Sequence, residues 1–195
     1  NDLIELIRNE IKSKKAGLNG EIWFKCNSLT DEAVIDALYE ASNSGVRVEL
    51  IVRGVCCLRP QLKNLSENIY VRSIVGRFLE HSRIFCFSSG ARMPSSKAKV
   101  FISSADVMPR NFDRRYELMV PILNKTVHKQ ILNQIMVANL NDNLQSWKMN
   151  SDGTYYRSKA IVDCMSAHNY FMSNPSLSGR GESIRYNRPA EITLK

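Results

Sequence analysis

Apolar residues recur along the first half of the chain at two spacings, three or four positions apart in some segments and in short continuous runs in others. Helical spacing predicts an α-helix, and a short apolar run between turn residues predicts a buried strand. The predicted elements are helices at 1–15 and 31–42 and strands at 21–26 and 46–52. Ser28 and Asp31 resemble a capping box at the start of the second helix. This alternation predicts an α/β fold with a mixed β-sheet flanked by helices.

The second half continues the pattern with shorter strands. Four more strands are predicted at 68–72, 83–87, 100–103 and 117–122. Apolar residues four apart predict one long amphipathic helix over 127–147, and 155–157 is a candidate edge strand. From about Ser173, polar residues, glycines and prolines dominate, which is typical of a tail that is poorly ordered or depends on a partner.

Basic residues concentrate between Arg53 and Arg115. This stretch holds nine Arg and three Lys but four acidic residues, an excess equal to the formal net charge of +8. A local cationic surface favours an anionic, phosphorylated ligand. The charge would also suit nucleic acid or an anionic membrane surface. The Arg residues are, however, spaced singly among apolar strands, which argues against a nonspecific polyanion binder and predicts a specific phosphate site.

The lengths of the apolar runs and the spacing of the cysteines further narrow the class of protein. No apolar run reaches the roughly 20 residues that a membrane span needs, so we expect no membrane span. Five Cys without a CxxC spacing predict reduced core thiols in a cytoplasmic protein, with peripheral attachment to a membrane as an alternative location. Because the chain does not begin with Met, we expect it to be a fragment of a longer protein.

His81 is the candidate catalytic residue, since it is the one histidine in the basic stretch. Glu80 is a candidate orienting carboxylate, and Arg77 and Arg83 are close in sequence. Imidazole beside guanidinium groups suits phosphoryl chemistry, because Arg neutralises phosphate oxygens while His moves a proton or accepts the phosphoryl group. His128 and His168 lack such neighbours in the sequence, and both are interpreted as structural.

Arg53 is the candidate phosphate ligand, because it follows an apolar strand at the edge where open α/β sheets bind ligands. Gly54 after it would let the backbone approach that ligand. Arg110 and Arg114 lie in a mixed-charge loop that is either a further part of the site or an internally paired surface loop. Lys25 and Asn27 are weaker candidates beside the first strand. No metal ligands are predicted.

Two motifs in the basic stretch resemble the phospholipase D superfamily signature, HxKxxxxD followed by a GSxN-type turn. They are His81-x-Arg83 and Ser103-Ser104-Ala105-Asp106, with Arg114 and Glu117 downstream. The chain departs from the signature at four positions, where the family has Lys, Asp, Gly and Asn. These departures are Arg83, Ser88, Ser103 and Asp106.

Longer stretches resemble one branch of that superfamily, the large, histidine-phosphorylated polyphosphate kinases. The resemblance covers roughly residues 1–157. The stretches that carry it include IVRGVCCLRP (51–60), SIVGRFLEHSR (73–83) and SSADVMPRN (103–111).

This resemblance implies that residues 1–157 are the C-terminal phospholipase-D-like domain of such an enzyme, and that 158–195 is a tail. It implies that Arg53 and His81 contact the phosphates of ATP or ADP, and that His81 gives or takes a proton. We expect Arg77, Arg83, Arg110 and Arg114 to line an anionic tunnel.

The same resemblance implies inorganic polyphosphate as the second substrate and a homo-oligomeric enzyme that binds no nucleic acid. The phosphorylated histidine and the ligands of Mg²⁺ would belong to other domains of the enzyme. Two alternatives stay open. One is a phospholipase-D-like phosphodiesterase or nuclease, and the other is a noncatalytic polyanion-binding domain.

Overall fold

The computed structural model describes residues 2–113, 116–157, 164–174 and 193–194. The helices are α1 (Asp2–Lys15), α2 (Glu32–Asn43), α3 (Pro109–Asp113), α4 (Lys125–Gln130), α5 (Val137–Asn141) and α6 (Ala167–Ser173). A π-helical segment, Ile131–Met136, joins α4 to α5. The strands are β1 (Glu21–Cys26), β2 (Arg47–Val52), β3 (Ile69–Ile74), β4 (Ile84–Phe87), β5 (Lys99–Ser103), β6 (Met119–Pro121), β7 (Ser146–Met149) and β8 (Tyr155–Arg157).

All eight strands form one mixed sheet in the order β6-β5-β4-β1-β2-β3-β7-β8. The three central neighbours β1, β2 and β3 are parallel, and every other pair is antiparallel. The predicted α/β fold with a mixed sheet flanked by helices is therefore confirmed.

Each face of the sheet packs against helices. One face carries Phe24, Phe85 and Phe87, whose rings meet edge to face at centroid distances of 4.8 and 5.7 Å, and it packs against α1 and α2. The other face carries Trp23 and Ile51 and packs against the helix that runs from α4 to α5. Covering on both faces explains why four of the six residues in each of β1 and β2 are apolar.

The single helix predicted over 127–147 is wrong in its second part. The helical segment ends at Asn141, where Asp142 adopts an extended conformation and its carboxylate accepts the N–H of Gln145 at 2.7 Å. Ser146–Met149 is instead strand β7, and Trp147 pairs with Ser73 of β3. The apolar spacing continues through both elements, so periodicity alone does not show the change.

The other predicted elements are confirmed with shifted bounds. The strand predicted at 117–122 is reduced to Met119–Pro121, and 155–157 forms the expected edge strand. No helix in the described part of the chain is both long and apolar enough to cross a bilayer. The division between a domain at 1–157 and a tail at 158–195 stays a prediction, and much of that tail lies outside the described residues.

Candidate functional site

The candidate residues converge because several strands begin or end at one edge of the sheet. Cys26 at the end of β1 pairs with Val52 at the end of β2, and Lys25 pairs with Ile84 at the start of β4. Ser103 at the end of β5 is hydrogen bonded to the carbonyl of Arg83 at 3.0 Å. This arrangement brings Asn27, Arg53, Asp106 and the connection between β3 and β4 to a common edge. That connection, residues 75–83, is called the His81 loop below.

Asp106 joins three of these segments. Its Oδ1 accepts the backbone N–H groups of Asn27 at 2.7 Å and Ser28 at 3.3 Å. Arg83 forms a bidentate ion pair with the same carboxylate, from Nε at 3.2 Å and from Nη2 at 3.0 Å. Burial by itself would raise the pKa of Asp106, but the Arg83 contacts and the two backbone N–H groups outweigh it and lower that pKa.

The side chain of Asn27 contacts the candidate catalytic residue. Its Nδ2 lies 3.2 Å from Nδ1 of His81, while His81 itself is exposed at this edge. The expectation that Glu80 orients His81 is wrong. Glu80 forms an ion pair with buried Lys25 and accepts the N–H of Ser82 at 2.8 Å, because its side chain turns back toward β1.

Lys25 and Glu80 thus attach the His81 loop to the first strand. Burial of Glu80 would raise its pKa, but Lys25 and the Ser82 hydrogen bonds together lower it. Lys25 and Asn27, the weaker candidates from the sequence, thus both contact the His81 loop. The signal that would have found Asn27 is its position directly after an apolar strand, the same rule that selected Arg53.

Arg53 follows β2 and is half-buried, and its carbonyl accepts a hydrogen bond from the Ser73 hydroxyl at 3.2 Å. Its Nη1 is buried and has no hydrogen-bond partner among the described residues. The interpretation of Gly54 needs correction. A Cβ at Gly54 would lie 2.8 Å from the carbonyl oxygen of Asn27, so the close approach that requires glycine is to this neighbouring backbone.

The four candidate tunnel residues do not share one environment. Arg77 and Arg110 are exposed at the surface, and Arg114 lies outside the described residues. The guanidinium group of Arg83 is hydrogen bonded within the protein, since its Nη1 also donates to the carbonyl of His81 at 3.1 Å. Their role as a tunnel lining stays a prediction.

Two departures from the phospholipase D signature have structural explanations. Ser88 lies at the other end of β4 from His81, fully buried, where it hydrogen bonds to Glu10 and accepts the N–H of Glu21 at 3.1 Å. Asp106 replaces the signature Asn and supplies the charge that pairs with Arg83. Directly after β5, at the edge of the sheet that holds the candidate site, Ser104 hydrogen bonds to Glu117.

Within the described residues, no group of three or more His, Cys, Asp or Glu side chains is placed to hold a metal ion. Asp106 is engaged by Arg83 and by backbone N–H groups, so it does not offer a free carboxylate. That the ligands of Mg²⁺ lie outside this chain stays a prediction.

A cavity of about 680 Å³ opens at the opposite end of the sheet, between the 94–98 segment and helix α4. His128 lines it and contacts the carbonyl oxygen of Ala98 through Nε2 at 2.6 Å. His128 is thus remote from His81.

Comparison with known proteins identifies the family of the chain. Residues 1–167 match the family model described as polyphosphate kinase C-terminal domain 2. A polyphosphate kinase from Erythrobacter litoralis is 50% identical over 189 residues, which are 97% of this chain and 26% of that protein. A polyphosphate kinase from Helicobacter pylori is 43% identical over 169 residues, covering 87% of this chain and 23% of that protein.

A solved structure shows the same fold. The crystal structure of polyphosphate kinase from Porphyromonas gingivalis matches with a TM-score of 0.80 and 37% identity, covering 89% of this chain and 26% of that one. The chain thus spans about a quarter of the length of these relatives. With a family model that matches most of its length, the chain belongs to the polyphosphate kinase C-terminal domain 2 family.

Proposed function

We propose that this chain forms the phosphate-binding wall of an enzyme that reversibly transfers the terminal phosphate of ATP to inorganic polyphosphate. The observation that carries the proposal is the half-buried Arg53, whose Nη1 is buried without a hydrogen-bond partner in the described structure, at the edge that also presents His81. A buried guanidinium nitrogen that lacks a partner is costly unless a ligand pairs with it. Family membership supports phosphate groups as that ligand.

Arg53 would bind phosphate oxygens of ATP, ADP or the polyphosphate chain. Its backbone is held by Ser73 and by the end of β1, where its N–H donates to the Cys26 carbonyl at 3.3 Å. A guanidinium group on a held backbone stabilises the charge that spreads over phosphate oxygens during phosphoryl transfer. Arg77 and Arg110 would add long-range attraction at the rim, because they are exposed.

His81 would stabilise the leaving or attacking oxygen through its other ring nitrogen. When the Asn27 amide donates to Nδ1, the neutral imidazole carries its proton on Nε2. An Nε2–H group donates a hydrogen bond to a phosphate oxygen and stabilises its charge. A general-acid step would need the imidazolium form, in which Nδ1 is protonated and the Asn27 amide presents its oxygen to that ring nitrogen. The neutral tautomer favours His81 as a hydrogen-bond donor over His81 as the nucleophile, so the phosphorylated histidine would come from another domain.

The remaining parts of the enzyme complete the proposal. Mg²⁺ would be held by residues outside this chain, as the family resemblance implies. The rest of the enzyme and a homo-oligomeric assembly are further expected partners. A phosphodiesterase or nuclease activity is disfavoured by the ion pair that occupies Arg83, because this position corresponds to the signature Lys.

The test is to substitute Arg53→Ala and His81→Ala in the full-length enzyme and to measure polyphosphate formation together with histidine phosphorylation. Loss of charged hydrogen bonds to phosphate should lower kcat/KM by about a hundredfold for Arg53→Ala. Loss of a general acid should lower kcat by about a hundredfold or more for His81→Ala. Arg92→Ala is the matched control, since Arg92 is exposed in the connection between β4 and β5, at the opposite end of the sheet.

Normal rates in both variants would show that the site is assigned incorrectly. Release of nucleotides from DNA by the chain would favour the nuclease alternative. Binding of polyphosphate by a full-length enzyme that never forms or consumes it would favour the noncatalytic alternative.

A further inference from the structure

The His81 loop is attached to the body of the protein by a second histidine, which lies far from it in sequence. We propose that His168 is a positioning residue: through its contact with Phe78 it holds the His81 loop so that His81 faces the phosphates. This inference rests on the proposed function for its catalytic consequence. The attachment itself can be tested without any activity.

Three observations place His168 against the loop. Its Nδ1 accepts the backbone N–H of Phe78 at 3.2 Å, and the two rings lie 5.3 Å apart between centroids. His168 is only 3% exposed. A Cβ at Gly76 would lie 2.6 Å from the same Nδ1 and 2.5 Å from Oε1 of Gln145, so the loop backbone runs directly against both side chains.

His168 is itself held firmly from the other side. Asp142 accepts the N–H of Ala167 at 2.7 Å and the N–H of Gln145 at 2.7 Å, which joins the start of α6 to the end of α5. Ser166 caps α6 by accepting the N–H of Asn169 at 3.3 Å, and its hydroxyl donates to Oε1 of Gln145 at 3.0 Å. These contacts make α6 a fixed support from which His168 reaches the loop.

The loop needs such a support because it has little packing of its own. Val75, Phe78 and Leu79 are 61%, 44% and 77% exposed. The loop has no helix or strand. Val75 donates to the Gln145 carbonyl at 3.1 Å, Glu80 pairs with Lys25, and the last residues of the loop contact Asn27 and Asp106. Between these points, the backbone hydrogen bond to His168 fixes the turn that leads into His81.

The attachment requires a neutral His168, because a protonated Nδ1 cannot accept a hydrogen bond. Burial lowers the pKa of His168, and Asp142 opposes this shift. Lys25 lowers it further and Glu80 raises it. Acidification below the ordinary range of histidine should therefore protonate His168 and release Phe78, while at neutral pH the bond is intact.

The first test is amide hydrogen exchange of Phe78 in the 195-residue chain, followed by NMR at pH 7 and pH 5. His168→Phe keeps a ring but removes the acceptor. His168→Asn keeps an acceptor oxygen in a similar place and does not titrate. We expect at least tenfold lower protection of Phe78 in His168→Phe, and protection in His168→Asn that is the same at both pH values. The amide of Tyr170, which donates to the Ser166 carbonyl at 3.0 Å within α6, reports whether the helix is still folded.

The second test uses the full-length enzyme. His168→Phe should lower kcat for polyphosphate formation by about tenfold, and His168→Asn should restore it. We expect the wild type to lose rate between pH 7 and pH 5 as His168 is protonated, and His168→Asn to lose less rate over the same range. Unchanged Phe78 protection in His168→Phe with α6 folded would overturn the attachment. Lost protection with an unchanged rate would overturn the positioning role. A wild-type enzyme without polyphosphate activity would instead contradict the proposed function, and the exchange data would still decide the attachment.

Discussion

At the scale of single residues, Asp106 determines the shape of the site. Its carboxylate lies shortly after β5. It accepts hydrogen bonds from the backbone N–H of Asn27, just after β1, and from the guanidinium group of Arg83, just before β4. Because Asn27, which it orders, contacts His81, the charge of Asp106 is linked to the imidazole through one intermediate residue. Asp106 replaces the signature Asn and Arg83 replaces the signature Lys. Because these two residues form an ion pair with each other, the two departures from the signature depend on each other.

Asp106→Asn should lower the free energy of unfolding by about 1–3 kcal/mol at pH 7, because it removes the charge from a partly buried set of hydrogen bonds. Since the pKa of Asp106 is lowered in the fold, this stabilisation is present above the ordinary Asp range and is lost as pH falls through the folded pKa. Urea unfolding at pH 7 and pH 3 measures the effect.

The matched control is Asp36→Asn, a change at an exposed position of α2. Equal stability of Asp106→Asn and wild type at pH 7, or a difference that persists unchanged at pH 3, would contradict the linking role of Asp106.

At the scale of elements, the junction after α5 determines how the second half of the chain folds. Asp142 ends the helix, turns the chain into β7 and holds the first turn of α6. Its side chain is nearly fully buried, at 2% exposure, and both carboxylate oxygens are used. Asp142 thus connects the end of α5, the turn into β7 and helix α6, which supports the His81 loop.

Asp142→Ala should destabilise the protein by about 3 kcal/mol, because two charged hydrogen bonds are lost and two backbone N–H groups are left buried. Hydrogen exchange should show faster exchange in α6 and in the His81 loop, and little change in β1 and β2. Glu40→Ala, at an exposed position of α2, is the control and should leave all segments unchanged. Uniform destabilisation of the whole sheet without a local change in α6 would contradict this account.

At the scale of the whole molecule, the site lies at an edge of the sheet, where His81 is exposed. A cavity among the described residues lies at the opposite end of the sheet. The chain spans about a quarter of the length of its relatives, so other domains are expected to cover the edge. An open cationic edge binds polyanions through long-range attraction, but it does not surround a transition state.

The 195-residue chain alone should therefore bind polyphosphate weakly and form no ATP from polyphosphate and ADP. Affinity should fall steeply as salt increases, because binding depends on screened charges. Titration calorimetry in a salt series measures this, and Arg53→Ala should weaken binding more than Arg92→Ala does. Robust ATP synthesis by the isolated chain would disprove the requirement for another domain.

The sequence allowed the fold class and most elements to be predicted, because each central strand carries an apolar run and each early helix an apolar face. It also singled out Arg53 and His81 from charge placed near strand ends and from motif resemblance. The structure brings both residues to one edge of the sheet, and their roles stay a prediction. The sequence did not separate β7 from the preceding helix, because an apolar spacing of four fits a helix and also continues into a short strand. Its bounds for β6 were also too wide, since hydrogen-bond pairing sets where a strand ends.

The contacts that hold the site depend on residues far apart in sequence, and no local pattern encodes them. Asn27 rather than Glu80 meets His81 because the pairing of β1 with β4 brings the two segments together. His168 reaches Phe78 across 90 positions because Asp142 folds α6 back onto the loop. Local periodicity thus predicted most of the elements, and charge with motif resemblance pointed to the candidate site. The hydrogen-bond partners of the side chains in the site depend on strand order and burial. Segments that are distant in sequence form hydrogen bonds only where the fold packs them together.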